Sequence, residues 1–230
     1  MPELMSVRLK ETMIKLISMT QPLVLVEGKT LLPEQLIEYT ARVSNPEGQE
    51  KYNTSFKLLQ YLIENNHISP LEMVDFTVEI ETSRAIAAQI LRHWSFSFQE
   101  FSQRYAQASS YIEYDARRQD AKNRQNSVDD MSDEDKKWFH EAQMKIWTDS
   151  KGLYDEAINK GIAKEQARFL LPLNTKTRLY MKGNVRDWFF YLRLRSANGT
   201  QKEHMDIAWA IINEVFKPHF PTISTIAGWI

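Results

Sequence analysis

The sequence predicts an α+β fold: one helix-rich domain spanning residues 1–230, with several helices packed against a small, mostly antiparallel sheet. Three observations predict it. Val74, Phe76, Val78 and Ile80 alternate with Asp75, Thr77 and Glu79, the period-two pattern of a strand with one buried face. Several other segments carry apolar residues at helical spacing behind a capping residue or a first-turn proline. The chain has 230 residues, 43% of them hydrophobic, and no long internal repeat, which suits one sizeable core.

The elements follow in chain order. Val7 and Leu9, then Ile14 and Leu16, sit two apart and predict one or two early strands, although Met13 and Ile17 interrupt the alternation. Pro33 opens a helix with Leu36, Ile37, Thr40, Ala41 and Val43 on one face, predicted to end near Asn45-Pro46. Asn53, Thr54 and Ser55 offer caps for a second helix through Phe56, Leu59, Leu62 and Ile63, ended by Asn65-Asn66. After the strand at 74–80, Ser83 caps a helix through Ile86, Ala87, Ile90 and Leu91; it sets Gln89 and Arg92 on one side and delivers Arg92-His93 at its end.

Residues 106–131 form a polar excursion with few aliphatics, to which no regular structure is assigned. Ser132 with Asp135 reads as a capping box, opening a long amphipathic helix with Trp138, Ala142, Ile146, Leu153 and Ala157, stopped at Lys160-Gly161. A shorter helix is expected over 164–172 and a strand over 175–181. Asn184 then caps a helix bearing Val185, Trp188, Phe189 and Leu192, with Arg195 at its end. Thr200 and Glu203 read as a second capping box, launching a helix through Ile207, Ala208, Ile211, Ile212 and Val215 that Pro218 terminates.

Composition narrows the function. A formal net charge of -1, from 29 basic and 30 acidic side chains, argues against a nucleic-acid coat or a polybasic membrane anchor, so local arginines must hold any anionic ligand. No apolar run approaches a membrane span, and Met1-Pro2-Glu3-Leu4 lacks a charged-then-apolar export pattern; a cytoplasmic chain is expected. The absence of cysteine removes disulfides, thiolate metal sites and cysteine nucleophiles, and no metal is expected.

The segment from Arg92 to Tyr105 packs two arginines, a histidine, a glutamate and three serines into fourteen positions. It reads either as a helix end with an aromatic turn and solvated polar residues, or as an anion pocket whose arginine forks match phosphate oxygens. Arg92-His93-Trp94, seven further residues and Ser102 resemble, at all but one fixed position, the Arg-His-Arg-x7-Ser signature of the flavin-dependent thymidylate synthases, and Gln103-Arg104-Tyr105 extends the match. The blocks Ala41-Arg42-Val43-Ser44, His67-Ile68-Ser69-Pro70-Leu71-Glu72, Ala167-Arg168-Phe169-Leu170-Leu171-Pro172, Asn184-Val185-Arg186, Leu192-Arg193-Leu194-Arg195 and Gln201-Lys202-Glu203 follow in family order. Two positions depart: Trp94 replaces the second arginine, and Phe190 stands where some relatives have asparagine. Stacking of Trp94 on a flavin or adenine ring is the compensation we expect.

The resemblance implies a fold of that family's type and assigns roles. It implies a dUMP site at Gln89, Ile90, Leu91, Arg92, Glu100, Phe101, Ser102, Gln103, Arg104, Arg168 and Arg195. It implies FAD contacts at His67, Ser69, Arg92, His93, Trp94, Glu100, Asn184, Val185, Arg186 and Phe190, with Trp94 and Phe190 included by position only. Arg195 is the catalytic candidate, a guanidinium stabilising negative charge that develops on the uracil ring. Taken alone, Arg195 is an ordinary helix C-terminal arginine, Arg168 a surface ion pair and His67 a loop hydrogen-bonder. The resemblance further implies NADPH and methylenetetrahydrofolate as co-substrates, and a homotetramer with active sites at subunit interfaces. Without a thiol, and with no histidine set beside Ser102 by the sequence, a flavin route to dTMP is the implied chemistry. A flavin- and nucleotide-binding relative without methyl transfer is the second reading, and an RNA-binding module using residues 92–105 is a third that the near-neutral charge disfavours.

Overall fold

The expected sheet is built from β1 (Ile14–Met19), β2 (Asp75–Ser83), β3 (Ser97–Glu100) and β4 (Lys176–Asn184) in a computed structural model that describes residues 13–49 and 55–230. The order is β1-β2-β4-β3 and every pairing is antiparallel. β2 and β4 pair along their full length, from Asp75 opposite Asn184 to Ser83 opposite Lys176. Phe76, Val78, Ile80, Leu179 and Met181 face the core, as the alternation requires. The other face is charged and laced by ion pairs, Lys176 to Glu81 at 2.7 Å and Arg178 to Glu81 at 2.8 Å.

Against the apolar face lie α1 (Pro33–Ala41), α2 (Ser55–Glu64), α3 (Arg84–Ile90), α6 (Val185–Arg195) and α7 (Lys202–Ile211), with α4 (Asp133–Asn159) and the short α5 (Lys164–Ala167) set to one side. Phe76 stacks on Trp188 at 4.7 Å near the middle of this core. Three of the predicted caps are in place. Ser83 Oγ accepts from the Ile86 amide, Ser132 Oγ from Asp135, and Asn184 Oδ1 from Asp187. Asn66 ends α2 in the left-handed region at φ 57°, with the His67 amide donating back to the Leu62 carbonyl.

Several expectations are corrected. Val7, Leu9, Asn53 and Thr54 lie outside the described residues. α1 stops at Ala41, short of Asn45, because the Arg42 amide is shared between the Glu38 and Tyr39 carbonyls and the turn tightens; Val43 leaves the buried face. The long helix is real but buries Gln143, Trp147, Tyr154 and Ala157, while Trp138, Ile146 and Leu153 point outward. The excursion decides that face. Tyr111 stacks on Trp147 at 5.3 Å, and the Gln143 amide binds both backbone groups of Tyr114, satisfying an edge that an apolar residue would leave unpaired.

The excursion is therefore not structureless: Tyr111 bridges to Thr175, and Arg118–Gln119 pairs with Ser127–Val128. The Thr200–Glu203 box does not form. Gln201 takes the cap position of α7 without a side-chain capping bond, and Thr200 Oγ1 donates instead to the Leu194 carbonyl, closing α6. Nor does Pro218 end the last helix. A π-helical turn at Ile212–Phe216 widens the backbone and carries the chain through Lys217–His219, so the proline's missing N–H leaves no broken ladder. Among the described residues no helix is long and apolar enough to cross a membrane.

Candidate active site

A close approach of an aromatic ring to a glycine backbone builds the first part of the site. Gly183 in β4 faces the ring of Phe96, and a Cβ there would stand 2.5 Å from the ring carbons. Phe96 in turn packs edge-on against Trp188 at 4.7 Å and lies 5.6 Å from Tyr191, which anchors the turn after α3. The turn is closed by the His93 amide donating to the Ile90 carbonyl and the Phe96 amide to that of His93. Held this way, His93 meets the last turn of α6, where Arg195 Nε donates to His93 Nε2 at 3.0 Å.

His93 is therefore a neutral acceptor, and its pKa is lowered from 6.5 to about 4, first by burial and then by the Arg195 charge. Behind it a polar row runs from buried Tyr191 and His204 out to half-buried Gln89 and exposed Gln201. Tyr191 OH meets His204 Nε2 at 2.9 Å, His204 Nδ1 lies 3.4 Å from Gln89 Oε1, and Gln89 Nε2 donates to Gln201 Oε1. His204 is fully buried, and burial followed by Arg195 and His93 lowers its pKa to about 3. Three predicted residues, Gln89, His93 and Arg195, thus share one corner.

A second group forms elsewhere. Arg104 Nε donates to Glu165 Oε2 at 3.0 Å, Arg168 Nε donates to the Glu165 carbonyl at 3.1 Å, and Ser102 Oγ accepts from the Arg104 amide. Between the groups, Glu100 is held by Arg84 at 2.7 Å and by Thr177 at 3.0 Å. No contact joins Arg104 or Arg168 to Arg195 within the described residues. The Arg92 guanidinium is exposed and makes no hydrogen bond or ion pair among them.

The predicted flavin residues divide similarly. Arg186 pairs with Glu72, Asn184 spends its oxygen on the helix cap, and His67 packs edge-on against Tyr61. Trp94 is 93% exposed and Phe190 43%. Ile90 and Val185 are fully buried, and their backbones are already bonded, Val185 N–H to Val74 and the Ile90 carbonyl from His93. Leu91 and Phe101 are exposed and Gln103 is buried, its amide nitrogen unpartnered among the described residues.

Two cavities of about 590 and 640 Å³ lie between the excursion, α4 and the start of α7, and neither is lined by Arg92, Arg104, Arg168 or Arg195. Arg92 and Arg104 are exposed, and Arg168 and Arg195 half-buried. Sequence reasoning missed Arg84, Tyr191 and His204. Tyr191 alone carried a signal, since it stands one helical turn before Arg195 on the same face.

A family model described as thymidylate synthase complementing protein matches residues 26–222. The chain belongs to this family. A flavin-dependent thymidylate synthase from Synechocystis sp. is 56% identical over 216 residues, covering 94% of this chain and 99% of the relative. A probable flavin-dependent thymidylate synthase of Paramecium bursaria Chlorella virus 1 is 50% identical, again over 94% and 99%. In fold, the family chain resembles the UMP/dUMP methylase PolB from Streptomyces cacaoi bound with 5-Br dUMP, with a TM-score of 0.80, 20% identity and 94% of each chain covered. The resemblance drawn from the motif blocks is thus borne out for family and fold.

Proposed function

We propose that this chain is a flavin-dependent thymidylate synthase that converts dUMP to dTMP, with methylenetetrahydrofolate as carbon donor and NADPH as the source of reducing equivalents. The reading is supported above all by the Arg195–His93 contact, which joins two family blocks across 102 residues of sequence. The two highly similar relatives carry this activity in their names, and PolB holds a dUMP analogue on the same fold.

Arg92, with an unengaged guanidinium, is the donor best disposed toward a phosphate, and each such charge-assisted bond is worth about 1.5–3 kcal/mol. Arg104, Ser102 and Arg168 form the second half of the nucleotide site. Arg195, oriented by neutral His93, is the catalytic residue, stabilising charge on the pyrimidine as N3 ionises or hydride arrives. An exposed cation, a serine hydroxyl at Ser69 and the bare ring of Trp94 fit a dinucleotide that carries a diphosphate and flat rings. Bound FAD supplies the hydride. His67, Asn184, Arg186 and Glu100 complete its proposed contacts.

A homotetramer with composite sites is part of the proposal. Two separated arginine groups and the outward apolar face of α4, with Trp138 67% and Leu153 55% exposed, support it. Trp94 and Phe190 favour one other reading, a flavin and nucleotide binder without methyl transfer. Purified protein should carry a visible flavin spectrum that NADPH bleaches and dUMP perturbs, and should release the dUMP C5 proton only when NADPH and methylenetetrahydrofolate are both present. Flavin without proton release points to the binder; a colourless protein that binds no dUMP refutes both.

A further inference from the structure

The polar row behind His93 has a direction, and chemistry alone assigns it. At its outer end Gln201 Nε2 lies 2.8 Å from Glu203 Oε2. A carboxylate only accepts, so Gln201 must turn its NH2 toward Glu203 and its oxygen toward Gln89. Gln89 must then offer Nε2–H to Gln201 and Oε1 to His204. An amide oxygen only accepts, so His204 carries its proton on Nδ1, and its bare Nε2 accepts from Tyr191 OH. Each assignment forces the next. Reversing either amide would set two acceptors or two donors face to face along a row whose inner members, Tyr191 and His204, are buried, while Gln89 is half-buried and Gln201 exposed.

We propose that Glu203, acting through Gln201, sets the orientation of the Gln89 amide, and that the Tyr191–His204 pair locks it from behind, so that the remaining Nε2–H of Gln89 is presented as a donor to an oxygen of the nucleotide. The substrate half of this proposal rests on the dUMP reading given above. Glu203, Gln201, His204 and Tyr191 are positioning residues; only Gln89 touches substrate. The row suits that role because His204 is fully buried and stays neutral, with its pKa near 3, so its tautomer is governed by its partners rather than by pH near neutrality. Its ring also stands 6.2 Å from that of His93, which ties the Gln89 lock to the wall that supports Arg195.

The tautomer is directly readable. In wild-type protein with ¹⁵N-labelled histidine, His204 should be protonated at Nδ1 and bare at Nε2 from pH 6 to 8. In Glu203→Lys, an ammonium that only donates should invert the row and move the proton to Nε2. In a binding assay with dUMP, Glu203→Lys should weaken affinity about tenfold beyond its direct charge effect. That excess should vanish in a Gln89→Ala background, where only the direct effect remains. A proton on Nε2 in the wild type overturns the inference even if the lysine variant fails to fold. So does an unchanged tautomer in folded Glu203→Lys, or an excess loss that survives Gln89→Ala. Wild-type protein with the Nδ1 proton but no affinity for dUMP overturns the substrate role together with the functional reading.

Discussion

The Arg195 corner and the Arg104–Arg168 edge both gather predicted nucleotide ligands, yet they are built on opposite principles. At the corner, Arg195 donates to an imidazole whose neighbours are Phe96, Tyr191 and fully buried His204, and the partners are dictated by fold. At the edge, Arg104 and Glu165 have side chains 57% and 47% exposed, in a pair that water can replace. A preorganised donor costs little to align when charge develops, whereas a solvated one must be aligned by whatever binds it. The difference teaches that one chain can fix one predicted guanidinium through its own packing and leave another to be aligned by whatever meets it.

The sharpest way to break this comparison is Arg195→Ala. Loss of a preorganised donor should lower kcat about 10²–10³-fold while flavin absorbance on purification persists. A loss of flavin equal to the loss of turnover would make the corner a binding element like the edge. Gly183→Ala comes next. Its methyl would enter the Phe96 ring and displace the turn that holds His93, so denaturant unfolding should report about 1–3 kcal/mol of destabilisation. A neutral outcome would mean that the turn is not anchored through Phe96.

Titration sharpens the contrast further. In the fold His93 and His204 take up protons only near about 4 and about 3, whereas an unfolded histidine does so at 6.5. Their contribution to stability is therefore complete above pH 6.5 and lost as pH falls through 4 toward 3. The melting temperature should fall from pH 7 to 5, and His204→Asn should flatten the decline. Glu34 and Glu38, whose carboxyls burial raises, act in the opposite sense at lower pH, so the difference between the two slopes is the quantity to compare. The smallest effect belongs to the edge: Glu165→Ala should change stability by less than about 1 kcal/mol and leave dUMP affinity equal or stronger, since it releases Arg104. A larger destabilisation would show the edge to be as preorganised as the corner.

Much of the scaffold was legible because its signals are local. The alternation at 74–80 named both the strand and its buried face, and Ser83, Ser132 and Asn184 cap where their positions predicted. Failures arose where a distant partner decided. Gln143 is buried on α4 because it pairs with the backbone of Tyr114, and no helical periodicity carries that information. Thr200 lost its capping role to a carbonyl of the preceding helix, and Pro218 was accommodated by a π turn upstream. Of the residues the motif blocks proposed, Gln89, His93 and Arg195 come together in the fold, but Tyr191 and His204 lay outside those expectations, being polar residues on helices that otherwise read as core.

By itself the sequence determined the α+β class, the strand and capped helices of the scaffold, and the family, because periodicity, capping and motif spacing act over a few residues. Which guanidinium is fixed and which is free was decided by tertiary structure. A hydrogen-bond partner 102 residues away is specified by how α3 and α6 come to rest against the sheet. Even the proton on His204 follows from that packing, since its place depends on a glutamine and a tyrosine that only the folded chain brings to its two nitrogens.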